Sequence, residues 1–170
     1  ACAPSQDEFL AALVAAARSA ERGFDWGRVT AFHMDDYVGF AADHPQSFRR
    51  YLRTHLLAHV PLGAFHPLPA ERPPAEACAE YAARLAAAAI DLICLGIGEN
   101  GHVPTHALTL TLPVFRDARR LSVHVPGPRK AAAVRATLRD PRSPACPATL
   151  LREHPAATLY LDEASAGALA

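Results

Sequence analysis

The stretch FHMDDYVGF, residues 32–40, decides the fold class of this 170-residue chain. A short apolar run ends there on two adjacent carboxylates, Asp35 and Asp36, and Gly39 follows them. This order is typical of a strand that ends in charge and then turns. Open α/β sheets bind their ligands at the carboxyl ends of strands. The stretch therefore predicts a strand from Val29 to His33 with a polar site just beyond it.

A second apolar run, IDLICLGIG at residues 90–98, ends in the same way on ENGH at residues 99–102. Two strand ends that carry Asp-Asp and Asn-Gly-His predict one polar site above one sheet. Acid–base chemistry on a small polar molecule is the natural use of such a site.

Three glycines of the second stretch, Gly96, Gly98 and Gly101, match the spacing G-x-G-x-x-G. A dinucleotide site needs a helix to open there and an acidic residue at the next strand end. Pro104 follows at once, and the next strand brings no such acid. We interpret the glycines instead as positions where the backbone approaches a smaller ligand.

The rest of the chain alternates between helical and strand periodicity. Ser5 and Glu8 have the spacing of a capping box and predict a helix that ends near Arg22. Further helices are predicted at about 45–56, 75–89 and 130–138, and further strands at 90–95, 121–125 and 157–161. This alternation predicts an α/β fold with an open, mainly parallel sheet and helices on both faces, a Rossmann-like arrangement.

Composition argues against two classes of partner. Acidic and basic residues number 17 each, so no basic surface for nucleic acid is expected. No apolar stretch is long enough to cross a membrane, and the first residues lack the basic region of a signal peptide. The four cysteines never form C-x-x-C, and we expect free thiols in a reducing cytoplasm.

Taken together, these segments resemble the glucosamine-6-phosphate deaminase family, which is related to the 6-phosphogluconolactonases. The matching stretches are FHMDDYVGF with HPQSFRRYL, IDLICLGIGENGH, VPTHALTLT, VPGPRKAAAV and HPAATLYLDEAS. The deaminase branch fits better because the lactonase branch usually lacks a Met-Asp-acid-Tyr motif.

The resemblance implies conversion of glucosamine 6-phosphate to fructose 6-phosphate and ammonia, with no cofactor and no metal. Asp35 then carries the proton between C2 and C1 of the open sugar, and Asp36 beside it tunes its ionisation. His102 assists ring opening, and Asn100 orients His102.

The resemblance also implies how the substrate is held. Ser5, in the loop before the first helix, and Lys130, at the start of a later helix, would bind the phosphate, and Gly96 and Gly98 would lie near the sugar. The expected partner is therefore a small sugar phosphate. Assembly into a homo-oligomer is left open.

The chain departs from the family in two places. We expect residues 1–170 to form a single sugar-phosphate isomerase and deaminase domain. It lacks the family's first strand ahead of Ala1 and its mobile lid of several dozen residues between His102 and Val103. Either this is a truncated relative or the intact polypeptide is longer. The second reading is favoured, because a real deletion would leave the site open to water.

Three other functions are weighed against this one. Galactosamine-6-phosphate isomerase and 6-phosphogluconolactonase are the alternatives among enzymes. A non-catalytic sugar-phosphate sensor would not need Asp35 and would carry a DNA-binding helix-turn-helix, which the sequence does not display.

Overall fold

The computed structural model describes residues 2–19, 25–99 and 107–169. Its helices are α1 Asp7–Arg18, α2 Phe48–Leu52, α3 Pro74–Ala86, α4 Leu112–Asp117, α5 Ala131–Arg139 and α6 Glu163–Ala166. Its strands are β1 Thr30–Phe32, β2 Asp35–Tyr37, β3 Ala64–His66, β4 Leu92–Leu95, β5 Ala107–Thr109, β6 Arg120–Val125 and β7 Ala157–Leu161. The described residues fall into two compact units.

The first unit comprises the described residues of 2–88 together with 107–110. Strand β1 pairs with β3 in parallel, and β2 pairs with β5 in antiparallel. Helix α3 contributes two members of the buried core, Ala77 and Tyr81, which pack with Leu68, Ala70 and Leu108. Phe32 at the end of β1 and Val38 just after β2 pack against this core.

The second unit comprises residues 89–99 and 111–169. Its parallel sheet has the order β4-β6-β7. Every second residue of β6 is buried, namely Leu121, Val123 and Val125, as expected of a strand with one face in the core. On α5, Val134 is fully buried.

The predicted fold class is confirmed, since three of the four strand pairings among the described residues are parallel. Strand β7 has the predicted bounds, and β4 begins two residues later than predicted. Helix α2 begins at Phe48 rather than at Pro45, because the Ser47 hydroxyl accepts a hydrogen bond from the backbone N–H of Arg49 and caps the helix.

The predicted capping box of α1 is wrong. Ser5 does not cap α1. It lies inside a short 3-10 helix, Pro4–Gln6, and Gln6 occupies the N-cap without a side-chain bond. Pro4 explains the earlier start, because proline is preorganised for the first helical position. The helix predicted from about Lys130 is confirmed: Lys130 closes a 3-10 helix that begins at Pro128 and is the N-cap of α5, which begins one residue later.

Candidate active site

The two adjacent carboxylates lie on a strand rather than in the loop that the sequence suggested. Strand β2 pairs with β5 so that Asp35 is opposite Thr109 and Asp36 is opposite Leu108. Successive side chains of a strand point to opposite faces. The two carboxylates therefore enter different surroundings.

Asp36 is fully buried and saturated with hydrogen bonds. Its Oδ1 accepts from the backbone N–H groups of Tyr37 at 2.9 Å and Phe48 at 3.0 Å. Its Oδ2 accepts from the Ser47 hydroxyl at 3.0 Å and from Nε of Arg49 at 2.6 Å. Burial by itself would raise the pKa of Asp36, but these donors outweigh it and lower the pKa. Asp36 is therefore ionised at pH 7, and its carboxylate joins β2 to the start of α2.

Asp35 has the opposite surroundings. Its Oδ1 is shielded from solvent and has no hydrogen-bond partner among the described residues. Burial raises the pKa of Asp35 from 3.8 to about 6, and the negative charge of Asp36 acts in the same direction. A carboxyl group whose pKa lies near neutrality can both take up and return a proton.

Arg49 holds the loop that follows β2. Its Nη1 donates to the Glu71 carboxylate at 2.6 Å, and its Nη2 donates to the carbonyl of Phe40 at 2.5 Å. Gly39 donates its N–H to the carbonyl of Ala70 at 2.7 Å and has a φ of 81°, which favours glycine. The loop is thereby attached to the segment that carries Glu71.

Sequence reasoning missed His33, which directly follows β1. It is fully buried, and neither ring nitrogen has a partner among the described residues. Burial lowers the pKa of His33 to about 4, so the imidazole is neutral at pH 7. Its carbonyl lies 2.8 Å from the Tyr81 hydroxyl, which also lies 3.0 Å from the carbonyl of His66. With nine histidines in the chain, no local pattern distinguished this one.

The turn that carries Ser5 is attached to the helical segment after β2. The hydroxyl of Tyr51 lies 2.9 Å from the carbonyl of Ala3 and 2.5 Å from Oδ1 of Asp7. The Ser5 side chain is partly exposed and has no hydrogen-bond partner in the described ranges.

Cys2, at the start of this turn, is close enough to Asp35 and Asp36 for their charges to act on its thiol. The residue is buried, and burial raises the pKa of its thiol to about 12, helped by the negative charges of Asp35 and Asp36. The turn that begins at Cys2 thus lies within electrostatic range of both carboxylates. The structure brings Ser5, Asp35 and Asp36 into one unit.

The other predicted ligands belong to the second unit. Gly96 and Gly98 follow β4 directly. Lys130 is partly exposed, and its ammonium group has no ion-pair partner in the described part of the chain. The neighbouring Arg129, by contrast, lies 3.4 Å from Glu99.

The remaining catalytic predictions fall outside the described residues. These are Asn100, His102 and the junction between His102 and Val103. Strand β5 is the first described element after them, and it pairs with the strand of Asp35.

The described residues contain neither a metal-binding cluster nor a membrane-spanning helix. Across residues 2–19, 25–99 and 107–169, no three His, Cys, Asp or Glu side chains are grouped closely enough to hold a metal ion. Within the same residues, every helix is too short or too polar to cross a membrane. A cavity of about 230 Å³ in the second unit is lined mainly by apolar side chains and contains none of the predicted site residues.

Strand β2 of this α/β fold carries one carboxylate that is fully hydrogen-bonded and a neighbouring one whose Oδ1 has no partner among the described residues. This arrangement is suited to an enzyme that moves protons. The family described as glucosamine-6-phosphate isomerases/6-phosphogluconolactonase matches residues 5–105. The chain belongs to this family of enzymes.

Similar proteins agree with this assignment. A glucosamine-6-phosphate deaminase of Exiguobacterium sp. is 33% identical over 181 residues, which cover 84% of this chain and 70% of that protein. One from Rhodopirellula baltica is 31% identical and covers 85% of this chain and 73% of its own length.

Solved structures share the fold. A monomeric glucosamine-6-phosphate deaminase has a TM-score of 0.84 at 20% identity, covering 95% of this chain and 83% of that one. The 6-phosphogluconolactonase from Trypanosoma cruzi has a TM-score of 0.71 at 15% identity, covering 99% and 95%. At these identities the likeness concerns the fold alone.

Proposed function

We propose that this protein converts glucosamine 6-phosphate to fructose 6-phosphate and ammonia, with Asp35 as the proton-transferring carboxylate. The observation that carries the proposal is the difference in hydrogen bonding and pKa between Asp35 and Asp36 on β2. The Asp36 carboxylate accepts four hydrogen bonds, whereas Oδ1 of Asp35 has no partner among the described residues. The pKa of the Asp35 carboxyl group is about 6.

The reaction balances with water as the second substrate. In the open aldehyde form, the carboxylate of Asp35 removes the C2 proton. The aldehyde oxygen takes a proton from the substrate's own ammonium group, and an enolamine with a C1 hydroxyl forms. The protonated carboxyl then delivers that proton to C1, and the C2–nitrogen bond becomes an imine. Water adds to C2, the carbon–nitrogen bond breaks, and ammonia leaves as the C2 ketone forms.

The charge state of Asp35 suits both halves of the transfer. With a pKa of about 6, the carboxyl is mostly ionised at neutral pH and so is ready to act as the base. The same pKa makes it a stronger base than an ordinary aspartate, which improves proton abstraction. The ionised Asp36 beside it also favours a substrate that carries a protonated amine.

Phosphate binding is assigned to Ser5 and Lys130. The Ser5 hydroxyl and the Lys130 ammonium have no partners in the described ranges, which supports this role. A phosphate held far from the reacting carbons supplies binding energy and places C1 and C2 over Asp35. Gly96 and Gly98 are assigned to the sugar, His102 to ring opening and Asn100 to orienting His102.

We further propose that the intact polypeptide contains a lid between His102 and Val103. The alignment with the Exiguobacterium relative supports this. It is 181 positions long, yet 84% of 170 residues is about 143, so about 38 positions of that relative have no counterpart here. A continuous peptide bond from His102 to Val103 in the purified protein, seen by tryptic peptide mapping, would contradict the proposal.

The cellular assignment is a proposal of the same kind. The free thiols of Cys2, Cys78, Cys94 and Cys146 are consistent with a reducing cytoplasm. There the enzyme would act in the breakdown of amino sugars derived from N-acetylglucosamine.

The decisive assay is release of ammonia from glucosamine 6-phosphate by the full-length protein, coupled to detection of fructose 6-phosphate. Asp35→Asn keeps the shape and removes the base, so kcat is expected to fall by roughly 10²–10⁴. Asp43→Asn makes the same chemical change in an exposed loop and serves as the matched control. In deuterated water, exchange at Asp35 should leave deuterium at C1 of the product.

The outcomes separate the alternatives. Equal ammonia release by wild type and Asp35→Asn would make Asp35 structural. Hydrolysis of 6-phosphogluconolactone without ammonia release would assign the lactonase reaction. Binding of the sugar phosphate without turnover by the full-length protein would assign a sensor.

A further inference from the structure

Arg49 is buried and contacts three separate parts of the first unit. Its side chain is 5% exposed, and it reaches Asp36 on β2, Glu71 in the segment before α3 and the carbonyl of Phe40 in the intervening loop. Arginine is almost never buried so completely unless it is paired. The neighbouring Arg50, by comparison, is exposed and bonds only to the carbonyl of Asp43 among the described residues.

We propose that Arg49 is a positioning residue for the reaction: it acts through Asp36 to hold the adjacent carboxyl group of Asp35 in its reactive place. The proposal rests on the proposed function of Asp35. Arg49 itself touches neither the substrate nor the reacting atoms.

The first part of the argument is geometric. Strand β2 has only three residues, and β5 is the one strand with which it pairs among the described residues. Such a short antiparallel pair is weakly stable by itself. Three hydrogen bonds to Asp36, from Ser47, Phe48 and Arg49, tie β2 to the start of α2, and the bond from Arg49 is the shortest of them at 2.6 Å. Asp35 directly precedes Asp36 on the strand, so its carboxyl group moves when the backbone at Asp36 moves.

The second part is electrostatic. A fully buried carboxylate stays ionised only if a cation or several donors compensate for lost solvation. The groups that act on Asp36 are Arg49 and Ser47 from the α2 side, His33 from the β1 side and Cys2 from the amino-terminal turn. His33 and Cys2 are neutral at pH 7, because burial lowers the pKa of the first and raises that of the second.

Arg49 is thus the only cationic group bonded to Asp36 among the described residues. As long as Asp36 is ionised, its charge helps to raise the pKa of Asp35. Loss of Arg49 changes the charge beside Asp35 as well as its position. A residue that only stabilised the fold would do neither.

The experiment compares three full-length variants with the wild type. Arg49→Met removes the cation and keeps much of the length. Arg49→Lys keeps the cation, which can reach Asp36 but cannot also contact Glu71 and Phe40. Arg50→Met is the matched control, because it makes the same substitution one residue later on the exposed side of the helix. Each variant is assayed for kcat and KM with glucosamine 6-phosphate, and Asp35 is titrated by carbon-13 NMR of its carboxyl group.

For Arg49→Met we expect kcat to fall about 10- to 100-fold, since displacement of a reacting group by about 1 Å costs that much. KM should change less than about threefold, because the phosphate contacts are untouched. The titration midpoint of Asp35 should move by at least about half a pH unit. Arg49→Lys should recover part of kcat, and Arg50→Met should match the wild type in all three quantities.

A folded Arg49→Met protein with wild-type kcat and an unmoved Asp35 titration would overturn the proposal. If Arg49→Met fails to fold, Arg49→Lys decides by the same two readouts. If the wild type releases no ammonia, the proposed function fails, and the titration of Asp35 alone decides whether Arg49 acts on it through Asp36.

Discussion

Asp35→Asn should raise the free energy of unfolding, and Asp36→Asn, one residue later, should lower it. The folded state raises the pKa of Asp35 from 3.8 to about 6, so its ionised form is disfavoured by burial. A group with a raised pKa stabilises the fold below its unfolded pKa and loses that contribution as pH rises through the folded pKa. Asp35→Asn removes this loss, because the amide never ionises.

The magnitude follows from the two pKa values. Linkage gives Asp35→Asn a gain of about 1.5 kcal/mol at pH 5 and about 3 kcal/mol at pH 8. Oδ1 of Asp35 has no hydrogen bond to lose within the described residues, so the amide costs nothing at that atom. The variant should therefore be more stable than the wild type while it loses turnover.

Asp36→Asn should behave in the reverse way. The pKa of Asp36 is lowered, so its contribution is present above its unfolded pKa and is lost as pH falls through the folded pKa. Its removal leaves Arg49 buried without its anion on that side. Breaking a buried ion pair in this manner costs about 3–5 kcal/mol at neutral pH.

Urea unfolding of both variants and the wild type at pH 5, 6, 7 and 8 measures these differences. The slope with pH is the signature, because a simple packing change would not depend on pH. An Asp35→Asn protein that is less stable than the wild type at pH 8, or a gain that does not grow with pH, would refute the reasoning.

Three other changes test separate parts of the structure. Lys130→Ala should raise KM more than it lowers kcat, since a phosphate contact is made in the ground state; steady-state kinetics would contradict this if kcat alone fell. Tyr81→Phe removes the hydroxyl that reaches the carbonyls of His33 and His66 and should cost about 1–2 kcal/mol in urea unfolding; an unchanged midpoint would make that hydroxyl dispensable. Gly39→Ala forces alanine to a φ of 81° and should destabilise the fold by about 1–2 kcal/mol; a gain in melting temperature would mean that the loop takes another conformation.

Much of the architecture follows from local pattern. The alternation of helical and strand periodicity was enough to predict a mainly parallel α/β fold, because burial of one face imposes a period on each element. Strand β7 and the core of β6 were predicted for this reason. Strands β2, β3 and β5 were not, since each has three residues and depends on partners far away in the chain.

The start of α1 was predicted wrongly for a different reason. Ser5 and Glu8 have the spacing of a capping box, yet Pro4 starts a 3-10 helix one residue earlier, and Ser5 lies inside it. Two local signals competed there, and the backbone restriction of proline prevailed over a single side-chain hydrogen bond.

The sequence by itself determined which chemistry is present: two adjacent carboxylates after an apolar strand, in a stretch that resembles one family of sugar-phosphate enzymes. The resemblance assigned proton transfer to Asp35, but local pattern gave no physical reason to prefer it, because Asp35 and Asp36 are the same residue type in nearly the same local context. The tertiary structure shows that the two carboxyl groups have different surroundings. Ser47, Phe48 and Arg49, more than ten positions away in the chain, supply donors to Asp36, whereas Oδ1 of Asp35 has no partner within residues 2–19, 25–99 and 107–169. Ionisation depends on solvation and on charges in space, and these are properties of the folded chain.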